Sequence, residues 1–321
     1  MKTTEKAGHK WRYAEAESLL TQTKGLLLHF DLQTKKRLGQ HFLIDKEVLR
    51  LIISTAELAP ADTVIEVGPG LGVLTRELVK SAGQVLAVEL DNKLAATLKK
   101  TLGSYHNVDI INEDILDIEP LALLQGRESL QPLNNPFNYK VVANLPYYIT
   151  SPVLRHFLQA SMKPETMIVM VQKEVAKAIV ARPGQMSMLS VSVQFYGEPR
   201  IVDYVPAHCF HPVPEVDSAI LRIDLYPQPA VAVTDEKSFF ELMRAGFTTS
   251  RKQIVNSLTQ GLGLSKTEVS ALLEGADIVS RRRAETLTLE EWARLWRVFI
   301  GVKGERWYVD GAGTGQVKSN S

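Results

Sequence analysis

The chain has 321 residues, 37 basic and 36 acidic side chains, a formal charge of +1 and 45% hydrophobic residues, enough apolar material for one large domain and a smaller one. Its single cysteine, Cys209, excludes an intrachain disulfide and any zinc site built on several thiolates, so a reducing cytoplasm is the expected setting. No apolar run approaches the roughly 20 residues of a membrane helix, and residues 1–30 hold no apolar stretch with a small-residue cleavage site, so neither a membrane partner nor export is expected.

Apolar residues recurring at three- and four-residue spacing predict helices over 19–32 and 46–59, separated by a Gly-containing loop over 35–45. From residue 63 the pattern changes to β-rich runs at 63–67, 84–89, 108–112, 139–143 and 166–172, alternating with helices at 71–80, 92–102 and after Pro152. That alternation predicts βαβ units on a parallel sheet, an α/β Rossmann-like domain. Residues 116–138, rich in Pro, Asn and Gln, read as a surface connection with at most a short helix. Further strands are expected at 194–204 and 219–225, then helices at 239–248, 253–261, 266–276 and 289–300. The resulting division is an N-terminal extension and helix over 1–33, the α/β domain over 34–228, a helical domain over 229–302 and a disordered tail over 303–321.

The run Val64-Ile65-Glu66-Val67-Gly68-Pro69-Gly70-Leu71-Gly72 places glycines where a strand turns into a helix, which lets backbone amides approach a nucleoside ligand. Their offsets are zero, two and four, whereas a dinucleotide fingerprint wants zero, two and five. Glu89 ends the next strand 21 residues after Gly68, where a carboxylate suits both hydroxyls of a ribose, though a capping role suits it too. Asp114 follows the third strand and offers its carboxylate to an adenine amino group, with the Ile115 amide beside it; an N-cap is the competing role.

Asn144-Leu145-Pro146-Tyr147 follows the fourth strand directly. An amine conjugated with an adenine ring is a poor nucleophile, so an enzyme attacking with it must favour a tetrahedral nitrogen. The Asn144 side-chain oxygen and the Leu145 carbonyl are placed to accept the two N6 protons, freeing the lone pair. Tyr147 supplies a ring for an extruded base to stack on.

These motifs, with Lys36-Arg37-Leu38-Gly39-Gln40-His41-Phe42-Leu43 and Phe210-His211-Pro212-Val213-Pro214-Glu215-Val216-Asp217-Ser218, resemble those of the ribosomal RNA adenine dimethyltransferase family, most closely its bacterial small-subunit branch, the KsgA type. The resemblance runs from about residue 21 to 301. It implies a methyltransferase sheet with a small C-terminal helical domain, S-adenosyl-L-methionine as cofactor with no metal, and dimethylation of adenine N6 in small-subunit (16S) rRNA during ribosome biogenesis. It places Gln40, His41 and Leu43 over the methionine end of the cofactor, Gly68 and Gly70 beneath it, Glu89 on the ribose, Asp114 and Ile115 on the adenine, and Asn144 between cofactor and target. His41 stands where asparagine is common, with either side chain able to meet a carboxylate. Phe210 resembles the family's second aromatic, closing on the target base opposite Tyr147. The helical domain then contacts rRNA through Arg244, Arg251, Lys252, Arg281, Arg282 and Arg283, unless some of these arginines anchor helices through carboxylates such as Glu285. The expected partner is rRNA within a subunit precursor, met by a monomer. A large-subunit adenine dimethyltransferase and a non-catalytic assembly factor on the same fold are the alternatives; a nicotinamide dehydrogenase leaves Asn144–Tyr147 unexplained.

Overall fold

The computed structural model describes residues 18–34, 39–125, 139–249 and 251–311, the side chains of 303–311 excepted. The basic run Lys35-Lys36-Arg37, most of the 116–138 connection and residues 312–321 of the expected tail lie outside the described residues. No helix among the described residues is long and apolar enough to cross a membrane.

Ser18 caps helix α1 (Leu19–His29), and a short strand β1 (Phe42–Leu43) precedes α2 (Lys46–Ala56). Asp45 starts α2 by accepting the amides of Glu47 and Val48 at 2.9 and 3.1 Å, two of the donors that a helix start leaves open. The helix turns Leu49, Ile52 and Ala56 inward. Three βα steps follow: β2 (Thr63–Val67) to α3 (Val73–Ser81), β3 (Gln84–Val88) to α4 (Asn92–Leu102), and β4 (Val108–Ile111), which leads through a 3₁₀ turn (Ile115–Asp117) to α5 (Pro120–Gln125). Then come β5 (Tyr139–Asn144), α6 (Thr150–Leu158), β6 (Thr166–Gln172) and α7 (Lys173–Ile179). Helix α8 (Met188–Tyr196) leads into β7 (Gly197–Val205), β8 (Phe210–His211) and β9 (Ser218–Leu225). Four α-helices follow among the described residues: α9 (Glu236–Phe247), α10 (Ile254–Leu262), α11 (Lys266–Gly275) and α12 (Leu289–Gly311).

Seven strands form one sheet in the order β4-β3-β2-β5-β6-β9-β7. Strands β2 to β6 pair in parallel, and β9 returns antiparallel to β6. Strands β2 and β5 are fully or almost fully buried, as their largely apolar sequences, interrupted by Glu66 and Lys140, suit in a sheet covered on both faces. Crossovers leave β2 toward β3 and β4, then reverse to β5, so the carboxyl ends of β2 and β5 flank the point where ligands bind in such sheets. A separate two-stranded ladder pairs Phe42 with His211 and Leu43 with Phe210.

The chain divides into two units: residues up to Ala176 with Pro199–Leu225, and Lys177–Glu198 with residues from Tyr226 onward. This corrects the expected boundaries twice. Helix α1 is part of the first unit rather than a separate extension, since Leu26 is buried in a cluster with Phe42, Leu71 and Leu94. The helical unit also takes in Lys177–Glu198, which the sequence pattern assigned to the α/β domain. Residues 194–196 of the expected strand are helical: Ser187 caps α8 in a capping box with Ser190, and Phe195 and Tyr196 pack on Phe240 at 5.2 and 5.8 Å. Tertiary packing has overridden the β propensity of the valine- and aromatic-rich run. Helix α12 also continues to Gly311, nine residues past the expected end of the helical domain at 302.

Candidate active site

Val67 ends β2 and the chain turns sharply over the sheet edge. Gly68, Gly70 and Gly72 have φ of 68°, 60° and 76°, a region that a Cβ disfavours. At Gly72, the start of α3, a Cβ would also stand 2.7 Å from a Leu98 methyl. The turn is held to β3 by the Gly68 amide, which donates to Val88 O at 2.9 Å. Beneath it opens a cavity of about 350 Å³, within the size range of small-molecule sites. Gln40, His41, Leu43, Gly68, Gly70, Glu89, Asp114, Ile115, Asn144, Leu145 and Tyr147 all line it, so every expected cofactor position and three of the four expected catalytic positions converge.

The Glu89 carboxylate is fixed from two sides. One oxygen accepts the Asp91 amide at 2.8 Å and the other the Gly70 amide at 3.0 Å. Each oxygen has two lone pairs, so capacity for two hydroxyl donors remains. Burial pushes the Glu89 carboxyl upward, and the bonds from Asp91 and Gly70 oppose that shift. Asp114 serves as the cap anticipated for it, accepting the Leu116 amide at 3.0 Å, while its residue also lines the cavity. The cap and a place in the cavity wall are therefore compatible.

Asn144 sits at the end of β5 and donates from Nδ2 to the His41 carbonyl at 3.1 Å. A carbonyl accepts only, which settles the orientation of the amide and leaves Oδ1 as an acceptor. The Leu145 amide donates to Met170 O at 3.2 Å, extending the β5–β6 ladder through the motif. Tyr147 is anchored by its hydroxyl to Ser218 Oγ at 2.8 Å and stacks with the His41 imidazole at 5.8 Å. Burial raises the Tyr147 phenol, with the Ser218 bond opposing.

Two expectations, for Phe210 and Arg282, change. Phe210 does not line the cavity; it is 1% exposed and sits in the hydrophobic core with Leu43 and Cys209, because its strand pairing with Leu43 turns it inward. His41 directs Nδ1 at the Pro212 carbonyl at 2.8 Å, so Nδ1 is the donor there and Nε2 is the ring nitrogen left for a ligand. Arg282 is engaged with Glu291 through two nitrogens and with Thr286, one of its Glu291 bonds measuring 3.1 Å. These bonds give Arg282 the helix-anchoring role that the sequence left as the alternative for such arginines. Arg244, Arg251, Lys252, Arg281 and Arg283 are exposed, with Arg283 near Glu285 at 3.5 Å.

Glu66 was not assigned a role from sequence, although an acid inside the apolar strand Thr63–Val67 is itself a signal. It lines the cavity at 1% exposure, its Oε2 lacks a hydrogen-bond partner, and burial, reinforced by the Glu89 charge, pushes its carboxyl up to about 8. An orphaned buried acceptor beside glycine amides and the tethered Glu89 fits a ligand that brings hydroxyls and a positive charge.

The family model for ribosomal RNA adenine dimethylase matches residues 31–295. A ribosomal RNA small subunit methyltransferase A of Dehalococcoides mccartyi is 52% identical over 288 residues, covering 90% of this chain and 96% of its own. Its counterpart in Moorella thermoacetica is 44% identical over 278 residues, covering 86% and 96%. Among solved structures, the 23S rRNA methyltransferase ErmE matches at 31% identity and a TM-score of 0.61, covering 80% of this chain and 98% of its own. A dimethyladenosine transferase from Plasmodium falciparum matches at 23% identity and a TM-score of 0.65, covering 82% and 98%.

Proposed function

We propose, from the premise that the chain belongs to the ribosomal RNA adenine dimethylase family, that its cavity holds S-adenosylmethionine and presents it to the N6 amine of an adenine at Asn144. The chain is an S-adenosylmethionine-dependent rRNA adenine dimethyltransferase acting on small-subunit rRNA. The observation that carries the site assignment is the bond from Asn144 Nδ2 to the His41 carbonyl, which commits the amide oxygen to accept.

The cofactor supplies an electrophilic methyl on a sulfonium. Glu89 receives the ribose hydroxyls, Asp114 and Ile115 the adenine edge, and Gly68 and Gly70 bring backbone close to the ligand. Asn144 Oδ1 and the Leu145 carbonyl accept the two amine protons and turn the nitrogen lone pair away from the ring π system. Tyr147, held by Ser218, supports the base. With no group of the protein attacking the methyl, rate acceleration comes from positioning and from these fixed acceptors. His41 acts as a buttress: its carbonyl orients Asn144 and its ring lies against Tyr147.

The finer reading is rRNA in a cytoplasmic subunit precursor, bound by a monomer, with Arg244, Arg251, Lys252, Arg281 and Arg283 meeting phosphates. It is supported by the family's activity and by the exposure of those five side chains. The test is incubation with cofactor labelled on its methyl, in parallel with mature small subunits lacking the modification, with their precursors and with large subunits, followed by mapping of modified adenines. Two methyl groups on one nitrogen in small-subunit rRNA are expected; label confined to large-subunit rRNA overturns the assignment.

A further inference from the structure

Tyr204 lies near the end of β7, an edge strand, and is 45% exposed. Buried tyrosines in this unit have structural work, such as Tyr139, whose hydroxyl donates to Met162 O at 2.9 Å. Tyr204 instead keeps nearly half of its surface exposed. Lys173, at the start of α7, places Nζ 5.2 Å from the centre of that ring and 3.4 Å from Asp217 Oδ2. Asp217 is itself pinned: its carbonyl accepts the Lys173 amide at 3.0 Å and its Oδ1 accepts the Ala207 amide at 3.1 Å. The next residue, Ser218, holds the Tyr147 hydroxyl at 2.8 Å. A continuous set of contacts thus runs from the exposed ring of Tyr204 through Lys173, Asp217 and Ser218 to Tyr147 in the cavity wall.

An adenine methylated at Asn144 must leave its stack, and its neighbours in the strand then lose a stacking partner. Sites for single-stranded nucleic acid meet that need with an aromatic face beside a cation. We propose that Tyr204 is a second platform, on which a base flanking the target adenine stacks while Lys173 meets the adjoining phosphate. This rests on the function proposed above. Asp203 and Asp217 stand next to the pair, so the patch is not a plain anion site, and the ring is its main attracting feature.

The experiment is steady-state methylation of unmodified small subunits by the full chain carrying Tyr204→Ala, Tyr204→Phe or Tyr204→Trp, with calorimetric titration of S-adenosylhomocysteine and thermal melting of each. One stacked base corresponds to a rise in KM of about tenfold for Tyr204→Ala, with kcat, S-adenosylhomocysteine affinity and melting temperature unchanged. Phe and Trp keep a π face, so both variants stay within about twofold of the wild type. An unchanged KM for Tyr204→Ala beside an active wild type overturns the platform alone, as does a loss with Phe and Trp as large as with Ala. A wild type that leaves small-subunit rRNA unmethylated removes the platform together with the proposed function.

Discussion

Asn144 was readable from sequence as an acceptor at a strand end, but the source of its orientation was not, because the His41 carbonyl reaches it across 103 positions of chain. Removing the side chain deletes one acceptor, and the bond to the His41 carbonyl, at the partly buried end of β5 and little core volume. Asn144→Ala should therefore lower kcat for rRNA methylation by at least about 100-fold, with S-adenosylhomocysteine affinity falling far less and melting temperature close to wild type; near-normal turnover would remove Asn144 from the chemistry. Glu66 makes a different kind of prediction. Its carboxyl titrates near 8 in the folded chain against an ordinary value of 4.5, chiefly through burial, with Glu89 raising it further and Arg76 opposing. A folded state that holds its proton more tightly than the unfolded chain loses stability as pH rises between those two values, and the loss is complete above the folded value. Glu66→Gln removes the penalty. The variant should melt at nearly the wild-type temperature at pH 4.5 and progressively above it toward pH 8, in the absence of cofactor. A difference that does not change with pH would mean that Glu66 folds in its ionised form.

Among the elements, those with strong periodicity were legible from sequence: the strands Thr63–Val67 and Thr166–Gln172 and the helix Asn92–Leu102 fall where the pattern puts them. Such runs carry their own burial pattern, and Asp91 caps the last of them by accepting the Lys93 amide at 2.9 Å. What sequence did not resolve depends on distant partners. The Phe210–His211 strand exists because Phe42–Leu43 pairs with it, and that pairing turns Phe210 into the core, where an aromatic in a Pro-rich segment had read as a base clamp. The run at 194–196 became helical through packing on Phe240, 44 positions from Tyr196. Arg282 is the same lesson on the helical unit: its neighbours in sequence are basic, but its partners are the carboxylate of Glu291 and Thr286. Glu291 is held below the usual carboxylate range, first by its bond from Arg282. A lowered folded value means that this stabilisation is present at neutral pH and lost as pH falls through the folded value. Arg282→Ala should thus cost about 1–3 kcal/mol at pH 7, read by denaturant unfolding, and progressively less as Glu291 becomes protonated. An unchanged midpoint at pH 7 would return Arg282 to the set of possible RNA contacts.

A net charge of +1 says nothing about where an RNA substrate would bind, because what attracts phosphates is the local arrangement of cations. With Arg282 committed to Glu291, the helical unit still presents Arg251 and Lys252 side by side in the turn before α10, both exposed, with the Lys252 amide fixed to Thr249 O at 3.0 Å. That bond is made by the Lys252 backbone, so both side chains can be changed without removing it. Each phosphate contact releases condensed counterions, and deleting one lowers the slope of log affinity against log salt by about 0.7–0.9. Replacing both residues with Gln should weaken binding to small subunits and flatten that slope by about twice this amount. S-adenosylhomocysteine affinity and melting temperature should stay near wild type, because neither side chain belongs to the cavity or to the core. A variant that binds subunits with an unaltered salt slope would move the RNA contact away from this turn, leaving Arg244, Arg281 and Arg283 as the positions to replace next.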